Sequence, residues 1–406
     1  MKVISEFRTN LHKAVNRLTS SIWYPVHAST HSAAAGAATS TGPPGILKAA
    51  SYLYEKGVRI DQARMRRKRV GLPVPVISIG NLSVGGTGKT PLTIWICRTL
   101  VDSGLRPVVL TRGYGRSAGA PGLVQQSDNN VKMADLFGDE PVMISEYLPG
   151  RVWVGEDRAA SGSAALAHGG VDVFVLDDGF QHLALERDLD LVLLDCRHPF
   201  GNGHVLPAGP LREPIPNLGR ADALVISHVA KDMDASPLKD RLHNLFPGIP
   251  VFSCRHMLSG ISLMKSGPVF HVDRFAGRIA FAFAGIAGPE GFFGQLRQVG
   301  ISICGALSFP DHHRYTADDL SRIFRAASRH GAELIITTEK DAVRIPSPYR
   351  DALAIARIEI DFGADRQNFL SLIMAGLGYR QPATSFRPDT CFHSTVSSRP
   401  SGHRLS

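Results

Sequence analysis

The 406-residue sequence contains no run of about 18 apolar residues, so no segment is long enough to cross a bilayer as a helix. Its five cysteines, Cys97, Cys196, Cys254, Cys304 and Cys391, lie at least 50 residues apart. That spacing excludes a paired-cysteine metal clamp and a compact disulfide framework, and it fits a reducing compartment. Aromatic residues make up only 7% of the chain, but hydrophobic residues reach 44% and charged ones 20%, which excludes disordered and collagen-like chains. Acid is scarce in one place. Residues 1–75 hold 12 Lys or Arg against 3 Asp or Glu, a net of +9, while the other 331 residues carry 33 of each sign. A body that sums to zero gives no reason to expect nucleic acid, and no obligate protein partner is expected either. The basic excess belongs to one local surface.

Residues 1–45 contain 11 Ser or Thr, four basic residues, one acid and an alanine-rich stretch from Ala33 to Ala38. Such a segment buries little core, and a flexible extension is expected. The same composition suits an organelle transit peptide. Over 46–74, Ile46, Leu47, Ala50, Leu53 and Tyr54 recur near helical spacing, and Arg64, Arg66, Arg67, Lys68 and Arg69 follow. Two readings stand. One is an amphipathic helix that docks on a membrane surface through 46–70, with its cations toward anionic lipid; the other is a surface helix that packs its apolar stripe on the body.

From Pro75 onward, apolar β-branched runs alternate with helical patterns: Val76–Ile79, Pro107–Leu110, Val173–Leu176, Leu191–Leu194 and Ala223–Ile226. Strands without polar alternation need a sheet covered on both faces, so the fold class is α/β, with a doubly wound, mainly parallel core over 75–215. Ile279–Phe283, Leu334–Ile336 and Ala352–Ile355, with a helix capped by Thr316 and Asp319, predict a smaller C-terminal α/β domain over 216–379. Residues 380–406 read as a loose tail.

Ser83-Val84-Gly85-Gly86-Thr87-Gly88-Lys89-Thr90 follows the first strand and opens a helix. This is the context of a P-loop, whose glycines let backbone N–H groups curl around phosphate at a helix N-terminus. The segment departs from the usual pattern only in having Ser83 at the first position. Lys89 is expected on the β- and γ-phosphates of ATP and the Thr90 hydroxyl on Mg²⁺. The chemistry also needs a carboxylate at a buried strand end. Asp177 and Asp178 supply it, and Asp195, at the end of the next strand, is the rival. A P-loop protein either drives motion by hydrolysis or transfers the phosphoryl group. Val84 stands where partitioning-type ATPases carry a signature Lys, which weakens the switch-ATPase alternative. An acceptor kinase needs a base. Asp139, Asp157 and the pair His312 and His313 lie in polar loops suited to it, although each also has an ordinary capping or solvated role.

The order of motifs carries a resemblance. Gly80–Pro91, Arg112-Gly113-Tyr114-Gly115, Gly138-Asp139-Glu140-Pro141, Asp177-Asp178-Gly179-Phe180-Gln181-His182, Leu206–Pro214, Phe309-Pro310-Asp311-His312-His313 and Thr338-Glu339-Lys340-Asp341-Ala342 occur in one sequence. Over roughly 46–379 the chain resembles the tetraacyldisaccharide 4′-kinase family of lipid A synthesis. The resemblance implies phosphorylation, by ATP with Mg²⁺, of the 4′-hydroxyl of an acylated glucosamine disaccharide 1-phosphate. It implies Asp139 and His312 as a base pair, with His313 a rival; Lys89, Thr90, Asp177 and Asp178 at the nucleotide and metal; and Gln181, His182 and Glu213 lining the cleft. It also implies an N-terminal helix docked at a membrane. The expected location is peripheral, at the cytoplasmic face of a bacterial inner membrane, or a mitochondrion-type organelle if 1–45 is a transit peptide.

Overall fold

The computed structural model describes Trp23 and residues 43–113, 122–125, 127, 129–263 and 267–378. The proposed tail and Cys391 lie outside the described residues, as do Tyr114 and Gly115 of the second motif. Helix α1 (Gly45–Arg67) precedes the first sheet. That sheet contains β1 (Val76–Asn81), β2 (Pro107–Thr111), β3 (Gly122–Leu123), β4 (Val152–Val154), β5 (Val173–Asp177), β6 (Leu189–Asp195), β7 (Ala223–Ser227) and β8 (Val251–Ser253). Its order is β3-β4-β2-β5-β1-β6-β7-β8, parallel except where β3 meets β4. The helices around it are α2 (Lys89–Asp102), α3 (Asn130–Phe137), α4 (Asp139–Tyr147), α5 (Arg158–His168) and α6 (Ser236–Leu245).

Alternate residues of each central strand enter different cores. Ile77, Ile79, Val109, Val175 and Leu191 pack with Leu92 and Ile96 of α2 and Ile144 of α4. On the opposite face, Val108, Leu110, Phe174 and Leu176 join Ala165 of α5, and Val192, Leu224 and Ile226 join Leu242 of α6. Burial on both sides explains the unbroken apolar runs.

The second sheet contains β9 (Arg255–Ser262), β10 (Val269–His271), β11 (Ile279–Ala284), β12 (Ser302–Ser308), β13 (Leu334–Thr338) and β14 (Ala354–Asp361), in the order β10-β9-β14-β13-β11-β12. Its helices are α7 (Pro289–Gln298), α8 (Ala317–Arg329) and the short α9 (Glu339–Ala342) and α10 (Ser347–Arg350). Small residues on β11, Ala280, Ala282 and Ala284, admit Phe292 and Phe293 of α7, while Phe281 and Phe283 face Leu320 and Ile323 of α8. The expected capping box is present, with Thr316 Oγ1 accepting from Asp319 N and Asp319 from Thr316 N.

Two boundaries differ from the sequence reading. The first sheet runs on through β7 and β8, so the second begins at Arg255 rather than near 216. Parallel pairing recruits any apolar run that a helix can return to the same edge, and α6 does this for β8. The C-terminal helix α11 (Arg366–Gly376) then comes back to the first sheet, where Phe369 and Ile373 join the core beside α2. Within the stretch read as a flexible extension, Trp23 is buried and its indole N–H donates to Pro207 O at 3.1 Å.

Helix α1 has a face on the body and a face in solvent. It docks through Val58 and the Tyr54 ring and through polar contacts: Ser51 Oγ to Val205 O, Tyr54 Oη to Arg212 O and Gln62 Nε2 to Glu213 Oε2. Ile46, Tyr52, Leu53 and Ile60 are exposed. Of the expected stripe, Tyr54 packs against the core of the body, Leu47 and Ala50 are half-buried, and Ile46 and Leu53 are exposed.

Candidate active site

Strands β1 and β5 are neighbours, and Ile79 lies beside Asp177 in their register, so the P-loop and the acidic strand end emerge together at the carboxyl edge of the sheet. Ligands of doubly wound sheets gather at this kind of edge. Gly88 caps α2 with φ +85° and ψ 21°, in the left-handed region, and a Cβ there would overlap the His256 ring. From Ser83 to Thr90 the loop is braced from behind. Val84 N donates to Pro210 O, Arg212 N donates to Leu82 O, and Thr87 O accepts from Ser227 Oγ, all at 2.8 Å. Gly85 and Gly86 are exposed, and added Cβ atoms there would meet nothing within 4 Å. The Leu211-Arg212 part of the sixth-strand loop therefore serves as the back support of the phosphate loop.

Adjacent carboxylates have separate partners. Asp177 is buried and accepts from Thr93 Oγ1 at 3.0 Å; burial, then Glu140 and Asp178, push its carboxyl up to about 7. Asp178 sits at φ +57°, with its oxygens 2.8 and 3.0 Å from Arg212 Nη1 and 3.5 Å from Lys89 Nζ. Burial would raise its carboxyl, but Arg212 and Lys89 outweigh that and hold it well below the carboxylate range. Among the described residues no group of three or more His, Cys, Asp or Glu is arranged to hold a metal alone. Two carboxylates and the Thr90 hydroxyl are hard oxygen donors, which suit Mg²⁺ when nucleotide phosphates complete its shell.

Asp195 is tied elsewhere, by Arg197 Nε at 2.9 Å and His228 Nδ1 at 3.3 Å. Asp157 caps α5, accepting from Ala160 N at 3.0 Å. Asp157 thus has the ordinary capping role open to it, and Asp195 is committed to its own loop and His228.

Asp139 is the first residue of α4, after Gly138. Its Oδ2 lies 3.0 Å from His312 Nδ1 and also meets Arg344 Nη2. His312, at φ +62°, is held on a tight loop, with Lys340 Nζ 3.3 Å from its Nε2. The doubled histidines divide. His313 turns away, pairing with Asp319 at 3.0 Å and stacking on Phe309 at 4.7 Å between ring centres. Glu140, next to Asp139, is near enough to Asp177 to raise its carboxyl, which links the Asp139 loop to the acidic strand end.

Gln181 bridges Asn81 O at 2.9 Å and Glu213 Oε1 at 2.8 Å, while its Oε1 accepts from Arg212. His182 is kept neutral, its ring pushed down to about 3 by burial and then by Arg158. Glu213 does not line an open cleft. It is fully buried and accepts from Gln62, Gln181, Asn217 and Arg220, joining α1 to the body. A carboxylate with that many donors is consumed by the framework. Burial would raise its carboxyl, and the Arg220 pair with these hydrogen bonds lowers it. Sequence reasoning quoted Arg212 and Lys340 inside motifs without giving them roles. It had no signal for Arg344, which approaches the base pair only through folding.

The family model for tetraacyldisaccharide-1-P 4′-kinases matches residues 45–377. The chain is 46% identical over 324 residues to the tetraacyldisaccharide 4′-kinase of Syntrophobacter fumaroxidans, covering 80% of this chain and 85% of that one. It is 43% identical over 295 residues to the enzyme of that name from Pelobacter propionicus, covering 71% and 80%. A crystal structure of Aquifex aeolicus LpxK in complex with ATP superposes with a TM-score of 0.65 at 31% identity, covering 81% of this chain and 98% of that one.

Proposed function

The chain belongs to the tetraacyldisaccharide 4′-kinase family, and on that premise we propose that Asp139 and His312 are the groups that accept the proton of the sugar hydroxyl. The protein is an ATP-dependent kinase that phosphorylates the 4′-hydroxyl of tetraacyldisaccharide 1-phosphate in lipid A biosynthesis. The observation that carries the proposed roles is the 3.0 Å approach of His312 Nδ1 to Asp139 Oδ2, with Glu140, the next residue, acting on the Asp177 carboxyl.

Phosphoryl transfer asks a protein mainly for position and charge. Amides of the Ser83–Thr90 loop and the start of α2 bind the phosphates, and Lys89 brings a cation to their outer oxygens. Thr90, Asp177 and Asp178 would hold Mg²⁺, which when bound neutralises phosphate charge. Asp178 is ionised and already faces two cations, so Lys89 is held ready at a fixed carboxylate before nucleotide arrives. Asp139 and His312 orient the hydroxyl and take its proton as its oxygen bonds to the γ-phosphorus and the bond from that phosphorus to the bridging oxygen breaks, releasing ADP. Arg344 and Lys340 beside them keep positive charge near the developing oxyanion.

Membrane docking through α1 completes the reading. Exposed Ile46, Tyr52, Leu53 and Ile60 share the helix with Lys48, Lys56, Arg59, Arg64 and Arg66. No helix among the described residues is long and apolar enough to cross a membrane, and the relatives are bacterial. We place the enzyme peripherally at the cytoplasmic face of an inner membrane. Transfer of labelled γ-phosphate from ATP to tetraacyldisaccharide 1-phosphate tests the activity. ATP hydrolysis stimulated by vesicles without a phosphorylated lipid would favour a switch ATPase instead.

A further inference from the structure

Helix α4, which begins with Asp139, is held by the second half of the chain at both ends. At the amino end Asp139 meets His312 and Arg344. At the carboxyl end Glu146 Oε1 accepts from Arg350 Nη2 at 2.6 Å. Next to it, Tyr147 Oη donates to Glu339 and accepts from Arg357 Nη1 at 2.9 Å, and Arg357 reaches Glu339 at 2.9 Å.

Each end has a buried grip. Arg344 is 7% and Asp139 15% exposed at the amino end, and Arg350 is 2% and Glu146 25% exposed at the carboxyl end, whereas the His312 side chain is 49% exposed. An ion pair open to water resists little, so the Asp139–His312 contact does not by itself hold α4 to the second unit. The buried pairs do, because separating them strands a charge away from solvent. Nε and Nη1 of Arg350 and Nε of Arg357 have no hydrogen-bond partner. Buried charge satisfied this incompletely is a poor source of stability compared with apolar packing. Its use is geometric, since a planar guanidinium fixes both the direction and the distance of the carboxylate it grips.

We infer that Arg350 and Arg357 are positioning residues for phosphoryl transfer, clamping the carboxyl end of α4 to the second sheet unit so that its amino end presents Asp139 to His312. From Asp139 to Glu146 the helix spans about 10 Å. Neither arginine has to touch substrate. The helix acts as a rigid rod between the clamp and the reacting hydroxyl, and a displacement of about 1 Å at a catalytic group costs roughly a hundredfold in rate. The inference rests on the reading of Asp139 and His312 as the proton-accepting pair.

The test measures steady-state kinetics with ATP and tetraacyldisaccharide 1-phosphate for Arg350→Met and Arg357→Met, each in the natural and the Asp139→Ala background, with folding checked by thermal melting. Expected is a fall in kcat of about tenfold to a hundredfold with both KM values within about twofold, and no further fall when Asp139 is already absent. Arg350→Lys restores part of the rate. Glu146→Gln and Tyr147→Phe keep their shapes and show the same split at smaller size; they decide the matter if the Met variants do not fold. Folded variants with unchanged kcat, or with the same proportional loss in the Asp139→Ala background, overturn the clamp. Normal turnover by Asp139→Ala itself refutes the base-pair reading instead, whereas a disabled Asp139→Ala beside unaffected clamp variants refutes the clamp alone.

Discussion

His312 Nδ1 stands 3.0 Å from Asp139 Oδ2, although 173 positions separate the two residues and they hang from different sheets. The pairing exists only when both halves of the chain are folded against each other. Asp139→Ala and His312→Ala should each lower kcat by about 10²- to 10⁴-fold, the range for losing a positioned proton acceptor, with a smaller change in KM. His313→Ala should stay within about tenfold of normal turnover, because its partners are Asp319 and Phe309. Equal losses at 312 and 313 in steady-state assays would remove the distinction.

Two glycines of one loop should respond differently to the same substitution. Gly88 is left-handed, and a Cβ would run into His256, whose ring opens the second sheet. Gly86 has open space around it and no such backbone demand. Gly88→Ala is expected to weaken nucleotide binding by at least about tenfold, and Gly86→Ala by only a few-fold. Titration with a fluorescent ATP analogue reads both, and similar affinities for the two variants would contradict the packing argument.

A pH-dependent contribution resides at the start of α8. Burial pushes the Asp319 carboxyl up, but the hydrogen bonds from Thr316 and His313 outweigh it and hold it at about 2, below the ordinary 3.8. A depressed carboxyl stabilises the fold above its unfolded value, and that contribution disappears as pH falls through the folded one. Asp319→Asn should therefore cost about 1 kcal/mol at neutral pH, the order of a capping-box contribution. The gap between the two proteins should close between about pH 4 and pH 2. Denaturant melts across that window check it, and a gap constant with pH would assign the cap to shape alone.

The parallel strands were legible in the sequence because burial on both faces leaves continuous apolar runs, as at Val173–Asp177. The phosphate loop was legible because its glycines meet a local backbone demand. What escaped was set by distance. The return of α11 to the first sheet depends on Phe369 and Ile373 finding a groove beside α2, which no local pattern announces. Arg344 reaches Asp139 and His312 only through the packing of the second sheet against α4. Glu213 read as a cleft residue because its motif neighbours an active region, yet five donors from α1, the strand-end loop and its own loop enclose it. Motif spacing conveys which residues travel together and leaves open which of them face solvent.

Helix α1 presents a case where the exposed face carries the inference. Ile46, Leu53 and Ile60 recur every seven residues, at 79%, 71% and 56% exposure, while Ser51, Val58 and Gln62 face the body. A helix that leaves large apolar side chains in water has them available for another apolar phase. Removing two large side chains from a lipid interface costs about 3 kcal/mol, or roughly a hundredfold in partitioning. Ile46→Ser with Leu53→Ser should therefore abolish co-sedimentation with vesicles rich in phosphatidylglycerol. Activity on detergent-dispersed substrate should change far less, because the stripe lies opposite the face that contacts Arg212 and Glu213. Replacing Arg64, Arg66 and Arg67 with Gln should weaken binding by about 1 kcal/mol for each cation near the surface, and should flatten its dependence on salt. Undiminished vesicle binding by the double serine variant would show that the stripe is not the contact.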